Sequence, residues 1–261
     1  MTDTTAPATS YELRGSAAWI RLTRPEKMNA IDADVVAGLN AGLDRALSDQ
    51  ARTVVLTGTG RVFCAGADLK AALRGLDDLS AIEQLLAGAN AVIRRLAAHP
   101  APVIAAVNGL TIAGGLELVL ACDLVVAAED APMGDGHATY GVLPGGGASV
   151  RLPQRIGAAR AKELLFTGTP VSAAEMHRLG LVNRVVPADQ LETAVDELCA
   201  TLATRSRQML AAAKDLVEDG LGRPVEEALD HELAVLLRHL HSTDVAEGLA
   251  AFSEGRRPVF A

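Results

Sequence analysis

Two short stretches of the chain carry residues able to move protons. In "AGGLELVLACD" an acid, Glu117, comes just after the Gly114-Gly115 pair. In "MGDGHATYGVLPGGG" a histidine, His137, stands where no helix or strand pattern is long enough to claim it. Glycines at 114 and 115 open a helix, so the first-turn N–H groups lack intrahelical acceptors and lie at the positive end of its dipole. Such a terminus can hold an oxyanion. Gly114 and Glu117 are three residues apart, which places the carboxylate on the side of the free N–H. Glu117 could instead be an N-terminal cap, stabilising its helix by about 0.3–1 kcal/mol in a solvated setting. Its flanks, "LTIAGGL" and "LVLACDLVV", are apolar, and they favour proton transfer over capping.

These residues need a scaffold, and the composition allows a substantial one. The chain has 261 residues, 49% of them hydrophobic but only 3% aromatic, so its core is built from Ala, Val, Leu and Ile. A net charge of −8 argues against nucleic acid, whose binding needs clustered Lys and Arg. Cys64, Cys122 and Cys199 are far apart and lack C-x-x-C spacing, so reduced thiols in a cytoplasm are the simplest expectation. Residues 1–10, "MTDTTAPATS", read as a disordered tail and not as a secretory signal. The apolar region 101–128 contains Asn108, Thr111, Glu117 and Asp123, which weigh against a membrane span and for a buried strand, a helix and another strand.

The periodicity predicts the remaining elements. "AAWIRLT", "TVVLTG", "RVFC", "VIAAVNG" and "LVVAA" read as strands, and helices are expected from about Ile31 to Leu47 and over 81–98. Further helices are expected at about 158–166, 172–179, 189–203, 224–240 and 244–253. Strands alternate with helices in the first half and the last third is nearly all helix, giving an α/β fold with a helical C-terminal region.

Several familiar motifs fail by spelling. "GTGRVF" begins like a dinucleotide-binding loop, but Phe63 occupies its sixth position. No P-loop, G-x-S-x-G or H-E-x-x-H is present, and His231, His239 and His241 do not share a helix face, so no metal is expected. Cys64 beside a glycine turn has no basic partner nearby and reads as core packing rather than as a nucleophile.

Taken in order, "RLTRPEKMNAID", "FCAGADLK", "AVNGLTIAGGLELVLACDL", "GVLPGGGASVRLPQRIG" and "GLAAFSEGRRPVF" make the chain resemble the crotonase, or enoyl-CoA hydratase/isomerase, family over nearly its whole length. The resemblance implies a ββα spiral core over 1–200, with the acyl-CoA site, and a helical trimerisation region over 201–261. It implies that the backbone N–H groups of Ala67 and Gly114, with Gly115 beside them, hold a thioester carbonyl. Glu117 would match the glutamate that orients and deprotonates water, and Gly145 the glycine that helps to hold that water. Lys27, Ala65, Asp68 and Leu69 would lie along the CoA adenine, ribose and pantetheine. Arg256 and Arg257 would approach the CoA phosphates in a trimer or hexamer, and Tyr140 would border the acyl pocket. The acyl-CoA thioester would be the substrate, and no metal or redox cofactor is implied.

His137 departs from the family pattern, because typical hydratases carry a second glutamate there. A bland reading leaves it as a loop residue. The sharper reading pairs it with Glu117, since hydration needs one group to take a proton from water and another to give one to the α-carbon. An adjacent carboxylate favours the imidazolium and burial opposes it, so the structure must decide. The leading expectation is 2-enoyl-CoA hydration. Double-bond isomerisation, thioester hydrolysis (with Asp135 beside His137) and non-catalytic acyl-CoA binding stand as alternatives.

Overall fold

The computed structural model describes residues 7–68 and 79–260. The chain opens with an antiparallel pair, β1 (Thr9–Arg14) and β2 (Ala17–Leu22), followed by a 3₁₀ turn at Pro25–Lys27 and helix α1 (Ala33–Ser48), which Asp32 caps by accepting the Val35 amide. Next come β3 (Thr53–Gly58), β4 (Val62–Cys64), α2 (Ser80–Ala97), β5 (Val103–Val107) and β6 (Leu110–Ile112). Helix α3 (Gly114–Leu120) leads into β7 (Leu124–Ala128) and β8 (Pro132–Gly134), and a 3₁₀ turn at His137–Tyr140 precedes α4 (Ala148–Ile156) and α5 (Ala158–Thr167). The chain closes with β9 (Val171–Ser172), α6 (Ala173–Leu179), β10 (Arg184–Val186), α7 (Leu191–Ala203), α8 (Arg207–Gly220), α9 (Val225–His239) and α10 (Thr243–Glu254).

The strands form two sheets. The larger has the order β1-β2-β3-β5-β7-β10 and is parallel from β2 onward; the smaller has the order β4-β6-β8-β9. Each turn of the spiral therefore lays one strand in the large sheet and the next in the small one: β3 then β4, β5 then β6, β7 then β8. The corners require glycine. A Cβ on Gly58 would lie 2.4 Å from the Val62 carbonyl oxygen, and one on Gly109 would lie 2.1 Å from that of Arg61. Asn108 ties these corners together, accepting the Gly58 amide and donating to the Gly60 carbonyl.

Both faces of the large sheet are covered, which explains why β3 and β5 read as unbroken apolar runs. Ile20, Val54, Leu56 and Val103 pack with Val35, Leu39 and Leu43 of α1 and Val92 and Leu96 of α2. Trp19, Val55, Ile104 and Val126 point the other way and meet Leu191, Val195 and Cys199 of α7.

The expected helices 158–166, 172–179, 189–203, 224–240 and 244–253 match α5, α6, α7, α9 and α10 to within two residues at each end. Two helices and five strands were not expected. Pro153 inside α4 masks its periodicity, and α8 fills the unassigned stretch before Pro224 behind a Ser206 cap. Strands β6, β8, β9 and β10 have two or three residues each, too few to show alternation. β1 corrects the expected tail over 1–10, because Thr9 pairs with Leu22 and Ser10 with Arg21. Region 101–128 resolves as β5, β6, α3 and β7, and among the described residues no helix is long and apolar enough to cross a membrane.

Candidate active site

The small sheet brings the site together. β4, β6 and β8 are parallel neighbours, so the residues following each strand gather at one edge: 65–68 after β4, 113–117 after β6 and 135–137 after β8. Carboxyl ends of parallel strands are where open α/β sheets place their ligands.

Residues 65–68 run beside 28–31. The Ala65 amide donates to Met28 at 3.1 Å, Ile31 donates to Gly66 at 2.8 Å and Asp68 donates to Ile31 at 3.0 Å. Gly66 O and Asp68 N both face Ile31, so strand alternation turns the Ala67 N–H the opposite way, toward the start of α3. A Cβ added to Gly114 would lie 3.6 Å from the Ala67 nitrogen, and one added to Gly66 would lie 3.0 Å from the Gly114 nitrogen. The two amides are thus neighbours, and neither finds an acceptor among the described residues.

The backbone is strained at this point. Ala113 precedes Gly114 with φ 52 and ψ −121, a region that glycine enters freely and alanine at a cost of about 1–3 kcal/mol. Its amide donates to Gly134 at 3.2 Å, fastening the start of α3 to the end of β8.

Glu117 is only 4% exposed. Its Oε1 accepts the amides of Gly146 at 2.6 Å and Ala148 at 3.2 Å. Capping does occur, but at the first turn of α4 rather than of the acid's own helix, where a carboxylate also suits the dipole. Oε2 has no hydrogen-bond partner among the described residues and is left to act on something else. Gly146 must be glycine here, because a Cβ would lie 2.6 Å from Glu117 Oε2 and 2.6 Å from Ile93 Cδ1.

His137 is half-buried, and its Nδ1 lies 2.8 Å from Oδ2 of the fully buried Asp135. Burial pulls the imidazole down from its ordinary value, but the Asp135 hydrogen bond, the Asp135 charge and the Glu117 charge together outweigh it, so its pKa is raised. The neighbouring carboxylates thus favour the charged ring relative to a free imidazole, and Glu117 is close enough to contribute.

The other expected residues divide. Lys27 is exposed at the end of the first 3₁₀ turn, and the bonds between 28–31 and 65–68 bring Ala65 and Asp68 alongside that segment. Gly115 is packed so tightly that a Cβ would lie 2.1 Å from the Cys64 carbonyl oxygen. The Gly145 carbonyl accepts from Asn90 at 2.6 Å, and the next amide, that of Gly146, donates to Glu117. Tyr140 is 74% exposed. Arg256 lies beyond the end of α10, and Glu247 and Glu254 engage its guanidinium, so within this chain it is not a free cation for phosphate. Leu69 lies outside the described residues.

Gly146, Ala148 and Asn90 were missed; the helix start hidden in "PGGGAS" was the available signal. Cys64 is buried, with its thiol pushed up to about 12 by desolvation, as suits a packing residue. A cavity of about 640 Å³ lies elsewhere, lined by residues such as Arg94, Arg151, Lys214 and Arg238, and it includes none of the residues at the small-sheet edge. The strand ends, not this cavity, give the candidate site, because among the described residues unpaired amides, an acid and an imidazole come together there.

Comparison with known proteins agrees over nearly the whole chain. The family model described as enoyl-CoA hydratase/isomerase matches residues 12–261. A protein named probable enoyl-CoA hydratase echA8 from Mycobacterium tuberculosis (strain CDC 1551 / Oshkosh) is 39% identical over 246 residues, covering 92% of this chain and 93% of that protein. The mitochondrial enoyl-CoA hydratase domain-containing protein 2 of Homo sapiens is 38% identical, covering 92% of this chain and 84% of its own. Among solved structures, an enoyl-CoA hydratase from Bacillus anthracis superposes with a TM-score of 0.92 at 34% identity, covering 97% of this chain and 98% of that one.

Proposed function

Because the chain belongs to the enoyl-CoA hydratase/isomerase family, whose crotonase fold it shares, we propose that it adds water across the 2,3-double bond of a 2-enoyl-CoA to give the 3-hydroxyacyl-CoA. The observation that carries this reading is the pairing of Glu117, with one carboxylate oxygen uncommitted, and His137, whose Nδ1 lies 2.8 Å from Asp135, beside two amides without acceptors among the described residues.

In this reading the thioester oxygen accepts from the Ala67 and Gly114 amides, which draws electron density from the conjugated double bond. Glu117 Oε2 takes a proton from water, and the hydroxide oxygen bonds to C3. The double-bond electrons move toward the carbonyl as an enolate, which the two amides stabilise. His137 then gives its proton to C2, restoring the carbonyl, and a proton passes back from Glu117 to the imidazole or solvent. Lys27, Ala65 and Asp68 lie along one edge of the site and would carry the CoA portion. As proposed, the reaction requires neither metal nor redox cofactor. An exposed face of α9, with Leu229, Leu233 and Leu236 at helical spacing and Leu240 at its C-terminal cap, supports the expected trimer or hexamer.

The test is incubation with a panel of 2-enoyl and 3-enoyl thioesters and identification of the products by mass. A gain of one water on 2-enoyl substrates is expected. Rearrangement of 3-enoyl substrates without water, release of free CoA, or tight binding without turnover would each replace hydration by the corresponding alternative.

A further inference from the structure

Proton donation by His137 requires its imidazole to face the substrate with the right nitrogen, and the chain contains a device for this that lies outside the acid and base themselves. We propose that Asp135 is a positioning residue that holds Nδ1–H of His137, leaving Nε2 as the one imidazole nitrogen that exchanges a proton with the substrate. The proposal rests on the hydration reading for its kinetic consequence but not for its geometry.

Asp135 is 0% exposed and gives both its oxygens to one residue: Oδ1 accepts the His137 amide at 3.1 Å, and Oδ2 faces Nδ1 at 2.8 Å. A carboxylate oxygen can only accept, so the proton of this bond belongs to Nδ1 whether the ring is neutral or charged. The ring's hydrogen bond among the described residues is made at Nδ1, which leaves Nε2 without one there. Gly136 makes the double contact possible. It bends the chain at φ +73, and a Cβ there would lie 2.5 Å from Ile112 Cγ2, so the Asp-Gly-His order works as a unit. The charges acting on the ring are those of Asp135 and of Glu117 on α3. Helix α5, packed against the 137–140 turn, carries Arg160, Lys162 and Glu163, all exposed, with Arg160 paired to Glu163 at 2.6 Å.

Asp135→Asn should reverse the tautomer. The His137 amide still demands an oxygen at the Oδ1 position, which turns the new NH₂ group toward Nδ1. Nδ1 must then accept, the neutral ring carries its proton on Nε2, and the cation is disfavoured.

The experiment is nitrogen-15 NMR titration of the full-length wild type and Asp135→Asn, with His137→Ala identifying the signal. The wild type alone should show an Nδ1–H neutral ring, and the variant an Nε2–H ring that loses its charge at lower pH. A wild-type Nε2–H ring, or an identical tautomer and midpoint in both proteins, overturns the proposal. In kinetics, Asp135→Asn should lower kcat about 100-fold with little change in KM, and it should cost nothing further in a His137→Ala background. Equal losses in both backgrounds would mean that Asp135 acts on the fold and not through His137. Failure of the wild type to hydrate any 2-enoyl thioester removes the hydration reading, and the nitrogen titration still decides the role of Asp135.

Discussion

The Glu117 carboxylate holds the amide of Gly146 at 2.6 Å through Oε1, so the proposed base is also the clamp on the loop that opens α4. These two duties separate on substitution. Glu117→Gln keeps an oxygen for the Gly146 and Ala148 amides but cannot take a proton. Turnover should fall by about 10²–10⁴-fold with only a small drop in melting temperature, because the two bonds persist to a neutral acceptor. Glu117→Ala loses the clamp as well, and hydrogen bonds to a charged group are worth about 1.5–3 kcal/mol each, so this variant should also melt earlier. Thermal unfolding and product formation by both variants check the split; near-native turnover by Glu117→Gln would exclude this carboxylate as the base.

His137 sets the pH dependence. Its raised folded-state pKa means that the acid form is present below that value, so kcat should decline as pH rises through a point above the ordinary 6.5. The same shift stabilises the fold: the contribution is complete below the unfolded value and disappears as pH rises through the folded one. His137→Ala should remove the alkaline limb of kcat and flatten that part of the stability curve, and His137→Glu should keep some activity by supplying another acid. Turnover unchanged in both variants removes the imidazole from the mechanism.

Much of the candidate site's local geometry was legible in the sequence because it depends on local backbone demands. Gly114 and Gly115 open α3 as the spelling implies, and the backbone of Ala67 lies beside that of Gly114. The parallel order β4-β6-β8 that gathers these segments was not legible, because three-residue strands carry no usable alternation and their pairing is tertiary. The partner of Glu117 was hidden for a related reason: the Gly146 amide lies 29 residues downstream, and nothing local marks it off from Gly145. Asp135 was visible beside His137, but only the left-handed Gly136 between them shows how one carboxylate reaches both the ring and the amide.

The glycines offer a direct test of how the amides are placed. Gly66 has φ +88, and an added Cβ would lie 2.9 Å from Ala113 Cβ and 3.0 Å from the Gly114 nitrogen. Gly66→Ala should therefore cost about 1–3 kcal/mol and push the two amides apart, lowering kcat and thermal stability together. Gly145 has open space around a Cβ and an ordinary φ. Gly145→Ala should change stability by no more than about 0.5 kcal/mol. Denaturant midpoints for the pair check the contrast; a neutral Gly66→Ala would mean that this turn does not constrain the amides.

The last prediction concerns how the C-terminal helices are fastened. Lys214 of α8 reaches the core, donating to Asp123 Oδ2 at 2.8 Å and to the His99 carbonyl at 2.9 Å. Burial raises the Asp123 carboxyl, and the Lys214 charge and hydrogen bond, with the Val103 amide, pull it back only in part. Lys214→Met leaves this carboxylate buried without its cation, at a cost of about 3 kcal/mol at neutral pH. A folded pKa above the unfolded one means that the folded state binds the proton more tightly, so the deficit should shrink as pH falls and the carboxyl is neutralised. Adding Asp123→Asn removes the uncompensated charge and should recover part of the loss without acidification. Urea unfolding at neutral and mildly acidic pH measures both effects; a deficit independent of pH and of Asp123→Asn would show that Lys214 acts through its packing and not through this pair.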